Sequence, residues 1–167
     1  MISEPLVHRA LADDIDAATL YRVLRLRVEV FVVEQACPYP ELDGRDLEPT
    51  TRQFWITDGG DRPAGGDENG TEPGAVLATL RLLEEPEAEG GQVFRIGRVC
   101  TERNHRGHGL VTTLMRAALD EVGDRPCRIE AQTYLTEMYG KFGFVRDGDD
   151  YLEDGIPHVS MLRAGSR

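Results

Sequence analysis

The chain lacks any run of about 18 apolar residues, so no membrane-spanning helix is expected. Its first residues, Met1 to Ala12, have no basic flank leading into an apolar block, which argues against a secretory signal. Cysteine is scarce. Cys37, Cys100 and Cys127 are odd in number and far apart, so they form neither a disulfide framework nor a paired metal-binding motif, and a reducing, cytoplasmic setting is the simplest expectation. His105 and His108 lie close together, but without a cysteine or carboxylate cluster beside them no metal site is expected. Positive charge is also short overall. A net charge of −11 disfavours general nucleic-acid binding, which needs a basic face.

What is present has the size of a single domain with one core: 167 residues, 40% of them hydrophobic. The expectation is one domain spanning residues 1–167, with no internal repeat. The stretch from Arg95 to His108 inverts the overall charge, with four arginines against the one acid Glu102. Overlapping its end runs Asn104-His105-Arg106-Gly107-His108-Gly109-Leu110-Val111, between an apolar segment and an amphipathic helical pattern. A glycine-rich turn that leaves a strand and opens a helix is a natural anion site. The first helical N–H groups have no internal partners, and the helix dipole adds partial positive charge there. A local basic patch on an acidic chain suits a small phosphorylated ligand.

Hydrophobic periodicity orders the rest. Leu6 to Ala10 is a strand candidate, and Asp13, Asp14 and Asp16 supply cap chemistry for a helix with Leu20, Leu24, Val28 and Phe31 at helical spacing, widened by Val23 and Val30. Gln53 to Thr57 reads as a strand, and Gly59 to Gly74 as a solvated connection. Ala75 to Leu83 reads as a strand buried on both faces. Val93 to Thr101 is the strand before the glycine run, and the helix after it places Val111, Met115, Ala118 and Val122 on one face, with Gly123 as its stop. Arg128 to Thr133, Phe144 to Arg146 and Pro157 to Leu162 complete the strands, with a short helix from Leu135 to Phe142 and an acidic turn from Asp147 to Asp154. The order β-α-β-β-β-α-β-α-β-β is a mixed α/β layer. The glycine run follows the fourth strand, unlike a dinucleotide fingerprint, which follows the first.

These segments carry a resemblance. Arg106-Gly107-His108-Gly109-Leu110-Val111 resembles motif A of the GNAT acyltransferase superfamily (R/Q-x-x-G-x-G/A), with Val111 standing where the family prefers Gly or Ala. Tyr139-Gly140-Lys141-Phe142-Gly143-Phe144 resembles the family's Y-x-x-x-G-F motif. The segment Leu26 to Gln35, followed by Cys37-Pro38-Tyr39 and Asp43-Gly44, resembles the ElaA-like branch together with Asp154-Gly155-Ile156-Pro157-His158. The resemblance runs from about Leu6 to Leu162.

It implies a GNAT-type, mixed and mostly antiparallel central sheet flanked by helices, with strands 4 and 5 splayed apart. It also implies an acetyl-CoA-dependent N-acetyltransferase acting on a primary amine. The pantetheine arm would run along Val99, Cys100 and Thr101, and the pyrophosphate would sit on the turn Arg106, Gly107, His108, Gly109, Leu110 and Val111. The amine must arrive neutral to attack the thioester, although a free alkyl amine has a pKa of about 10.4. The departing thiolate needs a proton or a hydrogen bond, and the resemblance puts Tyr139 beside it. Glu34 is the first candidate for the base. Arg27, Phe31, Tyr39 and His158 are candidates for the acceptor side, where Glu34, Asp43 and Asp46 would favour a cationic acceptor. Cys100, in mid-strand, reads as a small core residue. Two alternatives stay open: an acyl-CoA-binding regulatory module without turnover, and an acyl-homoserine-lactone-synthase-like acyltransferase, suggested by R-x-x-V-F in the first helix. The sequence leaves the oligomeric state open, a homodimer included.

Overall fold

A computed structural model describes residues 5–58 and 74–165. The connection read over Gly59–Gly74 lies outside the described residues, Gly74 excepted.

Strand β1 (Leu6–Leu11) leads through Asp16 into helix α1 (Ala17–Val28). The Asp16 carboxylate accepts from the Thr19 N–H at 2.9 Å, which satisfies one of the donors a helix start leaves free. The helix continues as a π-helical stretch, Glu29–Glu34. Strands β2 (Arg52–Thr57), β3 (Val76–Pro86) and β4 (Gln92–Thr101) then form an antiparallel meander. Helix α2 (Leu110–Val122) crosses back to β5 (Cys127–Gln132), which runs parallel to β4. Short helix α3 (Thr136–Gly140), β6 (Val145–Arg146), β7 (Tyr151–Glu153) and β8 (Ile156–Arg163) complete the fold. Among the described residues the sheet has eight strands in the order β1-β2-β3-β4-β5-β8-β6, with β7 also paired to β8. Among the described residues only β4 and β5 are parallel neighbours, so the mixed, mostly antiparallel sheet expected from the sequence is the one observed.

Helix α2 buries Leu110, Leu114, Met115, Ala118 and Val122 against Phe54, Leu80, Phe94 and Ile96 on one face of the sheet. Each large apolar side chain so enclosed contributes about 1.5–3 kcal/mol. The other face is covered by α1 through Val23 and Leu26 and by the π-helical stretch through Val30, packed with Val76 and Cys100. Strand β3 lies between these layers, and every residue from Val76 to Leu83 is buried, as its nearly continuous apolar run, interrupted only by Thr79 and Arg81, predicts.

Three details depart from the sequence reading. The buried face of α1 is centred on Val23, Leu26 and Arg27, and Leu20, Leu24 and Val28 lie at its margins. A buried Arg27 takes the place a hydrophobic residue would fill, and the π-helical stretch shifts the phase of the residues after it. Second, the acidic segment Asp147–Asp154 contains β7. Asp154 and Gly155, with φ of 49° and 78°, form the two-residue turn of a β7–β8 hairpin that pairs Glu153 with Ile156. Third, β4 is bulged. Thr79 pairs with Cys100 and Arg81 with Gly97, so Leu80 faces both Arg98 and Val99, and Arg98 takes a φ of 54°.

Candidate active site

The bulge sits where β4 and β5 part. Their pairing covers Phe94, Arg95 and Ile96 and ends at Ile96–Ile129. Beyond that point a cavity of about 770 Å³ opens between the strands. Gly97 to Thr101 line one side, Ile129 to Gln132 the other. This is the expected gap between strands 4 and 5. It leaves the β5-facing edge of β4 with unpaired backbone groups, ready to pair with an extended amide-bearing ligand.

One end of the cavity is the start of α2. Gly107 and Gly109 hold φ of 79° and 76°, a left-handed conformation that only glycine adopts without strain, and no side chain caps the helix. The first N–H groups of this 13-residue helix therefore face outward. Val111, the departure from motif A, packs partly against the core under α2, so its bulk is shared between core and cavity wall. Of the residues expected to hold a cofactor, Val99, Cys100, Thr101, Arg106, Gly107, Gly109, Leu110 and Val111 all line the cavity. His108 does not line it. Its ring Nδ1 lies 3.2 Å from the His105 carbonyl, on the exposed side of the turn.

Arg106 does not stand free. It donates to both carboxylate oxygens of Glu34, at 2.6 and 2.8 Å, and through Nε to the Thr101 carbonyl at 3.2 Å. The guanidinium holds the Glu34 carboxylate below the usual range, chiefly through these hydrogen bonds. Proximity to an arginine thus opposes the base role expected of Glu34, because a carboxylate stabilised as the anion is a poorer proton acceptor.

Tyr139 projects from α3 to the cavity, with its ring 5% exposed and edge-on to Phe144 at 6.4 Å between centroids. Burial raises its phenol above the ordinary value, so the hydroxyl keeps its proton. Cys100 lies nearby on β4. Burial pushes its thiol up to about 12, which disfavours a thiolate nucleophile. All three cysteines are free.

The opposite end of the cavity is built on a buried charge network. Arg27 is fully enclosed and binds Glu41 and Asp46, the latter at 2.6 and 3.2 Å. Arg81 grips Asp43 with two bonds of 2.8 Å and reaches Asp46 at 3.2 Å. Arg98, on the bulge, pairs with Glu41 and donates to Asp43 at 3.3 Å, while its guanidinium stands 5.7 Å over the Tyr39 ring. The Tyr39 hydroxyl donates to Glu41 at 2.9 Å. Arg27 therefore departs from the expected acceptor-side role: it is absent from the cavity wall and instead anchors the 41–46 loop. Asp43 and Asp46 likewise do not offer free negative charge to a cationic acceptor. Guanidinium hydrogen bonds outweigh their burial, holding the Asp43 carboxyl well below the usual range and lowering that of Asp46. Phe31, Tyr39 and His158 do line the cavity. Arg81 and Arg98 were missed from the sequence, and an arginine at positive φ has no signature that could have revealed it.

Among the described residues no helix is long and apolar enough to cross a membrane, and no group of three or more His, Cys, Asp or Glu is placed to hold a metal ion.

Comparison with known proteins places this geometry. Residues 82–163, which run from the end of β3 through the glycine turn and Tyr139 to β8, match the family model for an acetyltransferase (GNAT) domain. A UPF0039 protein of Mycobacterium tuberculosis is 59% identical over 160 residues, covering 96% of this chain and 94% of the relative. Protein ElaA of Escherichia coli is 33% identical over 156 residues, covering 90% of each. Among solved structures, an acyl-CoA N-acyltransferase from Pseudomonas aeruginosa superposes with a TM-score of 0.79 at 39% identity, covering 96% of this chain and 100% of that one. The split sheet, the uncapped glycine turn and these relatives agree: the chain belongs to the GNAT superfamily of acyl-CoA-dependent acyltransferases, in its ElaA-like branch.

Proposed function

We propose that the chain is one acetyltransferase domain, residues 1–167, which moves an acetyl group from acetyl-CoA to a primary amine by direct attack on the thioester. The observation that carries this reading is the cavity itself. It runs from the exposed N–H groups at the start of α2, along the unpaired edge of β4, to Tyr139.

In this reading the pyrophosphate sits on the backbone of Gly107 to Val111, where helix-start N–H groups and the dipole favour an anion. Arg106 adds a charge-assisted bond once it exchanges Glu34 for a phosphate. Val99, Cys100 and Thr101 pair their backbone with the pantetheine amides, and an N–H of the same edge supports the oxyanion that develops on attack. The Tyr139 hydroxyl donates to the departing thiolate. Its raised pKa keeps that proton in place across the working range. Glu34 acts here as the resting partner of Arg106. Phe31 and Tyr39 shape the acceptor end. The raised thiol of Cys100 supports transfer without an acyl-enzyme.

A panel of amines offered with acetyl-CoA, read by the free thiol released, tests the proposal. Thiol release that depends on the amine supports it. CoA binding with no thiol release from any amine would favour a regulatory module, and preference for long acyl chains would favour an acyl-homoserine-lactone-synthase-like enzyme.

A further inference from the structure

The attack needs a group that removes a proton from the incoming ammonium, and most titratable side chains on the cavity wall are already committed. Glu34 is held by both terminal nitrogens of Arg106. Asp43 is held by Arg81 and Arg98. Glu130 accepts from Arg95 at 2.9 Å, from the Tyr151 hydroxyl at 2.6 Å and from Ser160 at 3.2 Å. His105 belongs to the glycine-turn end, with its Nδ1 on Glu102 at 2.6 Å.

His158 differs. It lies on β8 opposite Gln132 of β5, and its side chain is 12% exposed on the cavity wall. Its Nδ1 stands 2.8 Å from the carbonyl oxygen of Ile156. A carbonyl only accepts, so Nδ1 carries the hydrogen, and in the neutral ring Nε2 is left with a free lone pair. The groups facing this ring are few. From β7, Tyr151 stacks on it at 5.9 Å between centroids and Glu153 places a carboxylate oxygen 3.8 Å from Nε2. From β5, Gln132 is uncharged, and Glu130 is tied to Arg95, Tyr151 and Ser160. Cys37 approaches the same corner, with its Sγ 3.9 Å from the Asp154 carbonyl. Glu153 is 58% exposed, too solvated to serve as a buried base, but well placed to stabilise an imidazolium once it forms.

We propose that His158 is the general base of the transfer, with its tautomer set by the Ile156 carbonyl and its charged form supported by Glu153. This rests on the transferase reading above. The acceptor ammonium passes one proton to Nε2. The freed nitrogen lone pair attacks the thioester carbonyl carbon, forming the C–N bond and moving the carbonyl π pair onto oxygen. That pair returns, the C–S bond breaks, and the thiolate takes the proton of the Tyr139 hydroxyl. The extra proton on the new amide nitrogen restores the tyrosine, and the imidazolium gives its proton to solvent. The net products are amide, thiol and one proton.

Two measurements test it. The nitrogen-15 spectrum of the histidine rings in the intact protein needs no acceptor: neutral His158 should be protonated at Nδ1 and bare at Nε2, and the reverse tautomer overturns the proposal. The second is the pH profile of His158→Asn with the best amine of the panel. Asparagine retains a donor for the Ile156 carbonyl but no base. We expect kcat/KM near neutral pH to fall about 100-fold or more, the scale of acid–base catalysis, with CoA affinity within twofold of wild type. We expect the variant's rate to rise about tenfold per pH unit as the amine loses its proton unaided, where the wild-type rate reaches a plateau. A variant that keeps the wild-type plateau, or loses CoA binding in parallel with rate, overturns the assignment. If wild type itself binds no CoA or releases no thiol, the failure lies in the transferase reading, and this proposal falls with it.

Discussion

Replacing Arg27 with Met should be among the most destabilising single changes available to this chain. Arg27 is fully enclosed, and its partners Glu41 and Asp46 are 3% and 6% exposed. Methionine fills much of the aliphatic volume, so packing loss is small and the electrostatic loss dominates. Breaking a buried ion pair by removing one partner typically costs about 3–5 kcal/mol, because the other charge stays behind in a poor solvent. Here two carboxylates are left, but each keeps a second cation: Arg98 on Glu41 and Arg81 on Asp46 at 3.2 Å. That places the expected loss near the lower end, about 3 kcal/mol. For a chain of this length each kcal/mol moves the melting temperature by about 2–4 °C, so the midpoint should fall by about 6–12 °C. Urea denaturation at pH 7 reads the same loss as a shift in midpoint with an unchanged slope. Adding Asp46→Asn to the Arg27→Met background should recover part of it, since one stranded charge is then gone. A loss below about 1 kcal/mol for Arg27→Met would mean that the network is charge-balanced without its central cation.

Further consequences can be checked separately. Tyr139→Phe should lower turnover by about 10²-fold or more while leaving CoA affinity near wild type; lost binding with unchanged residual chemistry would mark Tyr139 as a packing residue. Glu34→Gln releases Arg106 from a half-exposed pair worth about 0.2–1 kcal/mol, so CoA should bind about 1.5- to 5-fold tighter at low salt, and calorimetry showing weaker binding would contradict the resting-partner role. Stability should also fall in acid. The carboxyls of Asp43, Asp46, Glu85 and Glu121 are lowered in the folded state by arginine hydrogen bonds, so their contribution is complete above the unfolded carboxylate values, about 3.9–4.3, and is lost as pH drops through the folded ones. A melting temperature that is flat from pH 5 down to 2 would count against the network.

What the sequence revealed and what it hid divide along physical lines. The glycine turn, α2 and β3 were legible because their signals are local: positive-φ glycines before an amphipathic period, and an apolar run, broken only by Thr79 and Arg81, of the kind a strand covered on both faces needs. Strand β7 was hidden inside an acidic stretch, although Asp154-Gly155 carried a two-residue hairpin signal that could have exposed it. The inward turn of Arg27 was not legible, since its partners lie 14 and 19 residues away in a loop that looks merely polar. The same holds for Glu34 and Arg106, 72 residues apart, whose pairing changes the role of both. Arg98 at positive φ breaks the rule that usually marks such positions with glycine, and the bulge it forms lies where the strands part. His158 was visible as a candidate, but its tautomer depends on the Ile156 carbonyl, which only the hairpin geometry supplies.

In the function proposed above, the opening between β4 and β5 is an acyl-CoA site that begins at the uncapped start of α2. Titrating the protein with acetyl-CoA, CoA and NAD while following its thermal unfolding tests this most directly. At about 100 times its dissociation constant, acetyl-CoA should add about 2.7 kcal/mol of stability, CoA should act similarly, and NAD should have no effect. No stabilisation by either CoA species, or an equal response to NAD, would contradict the account.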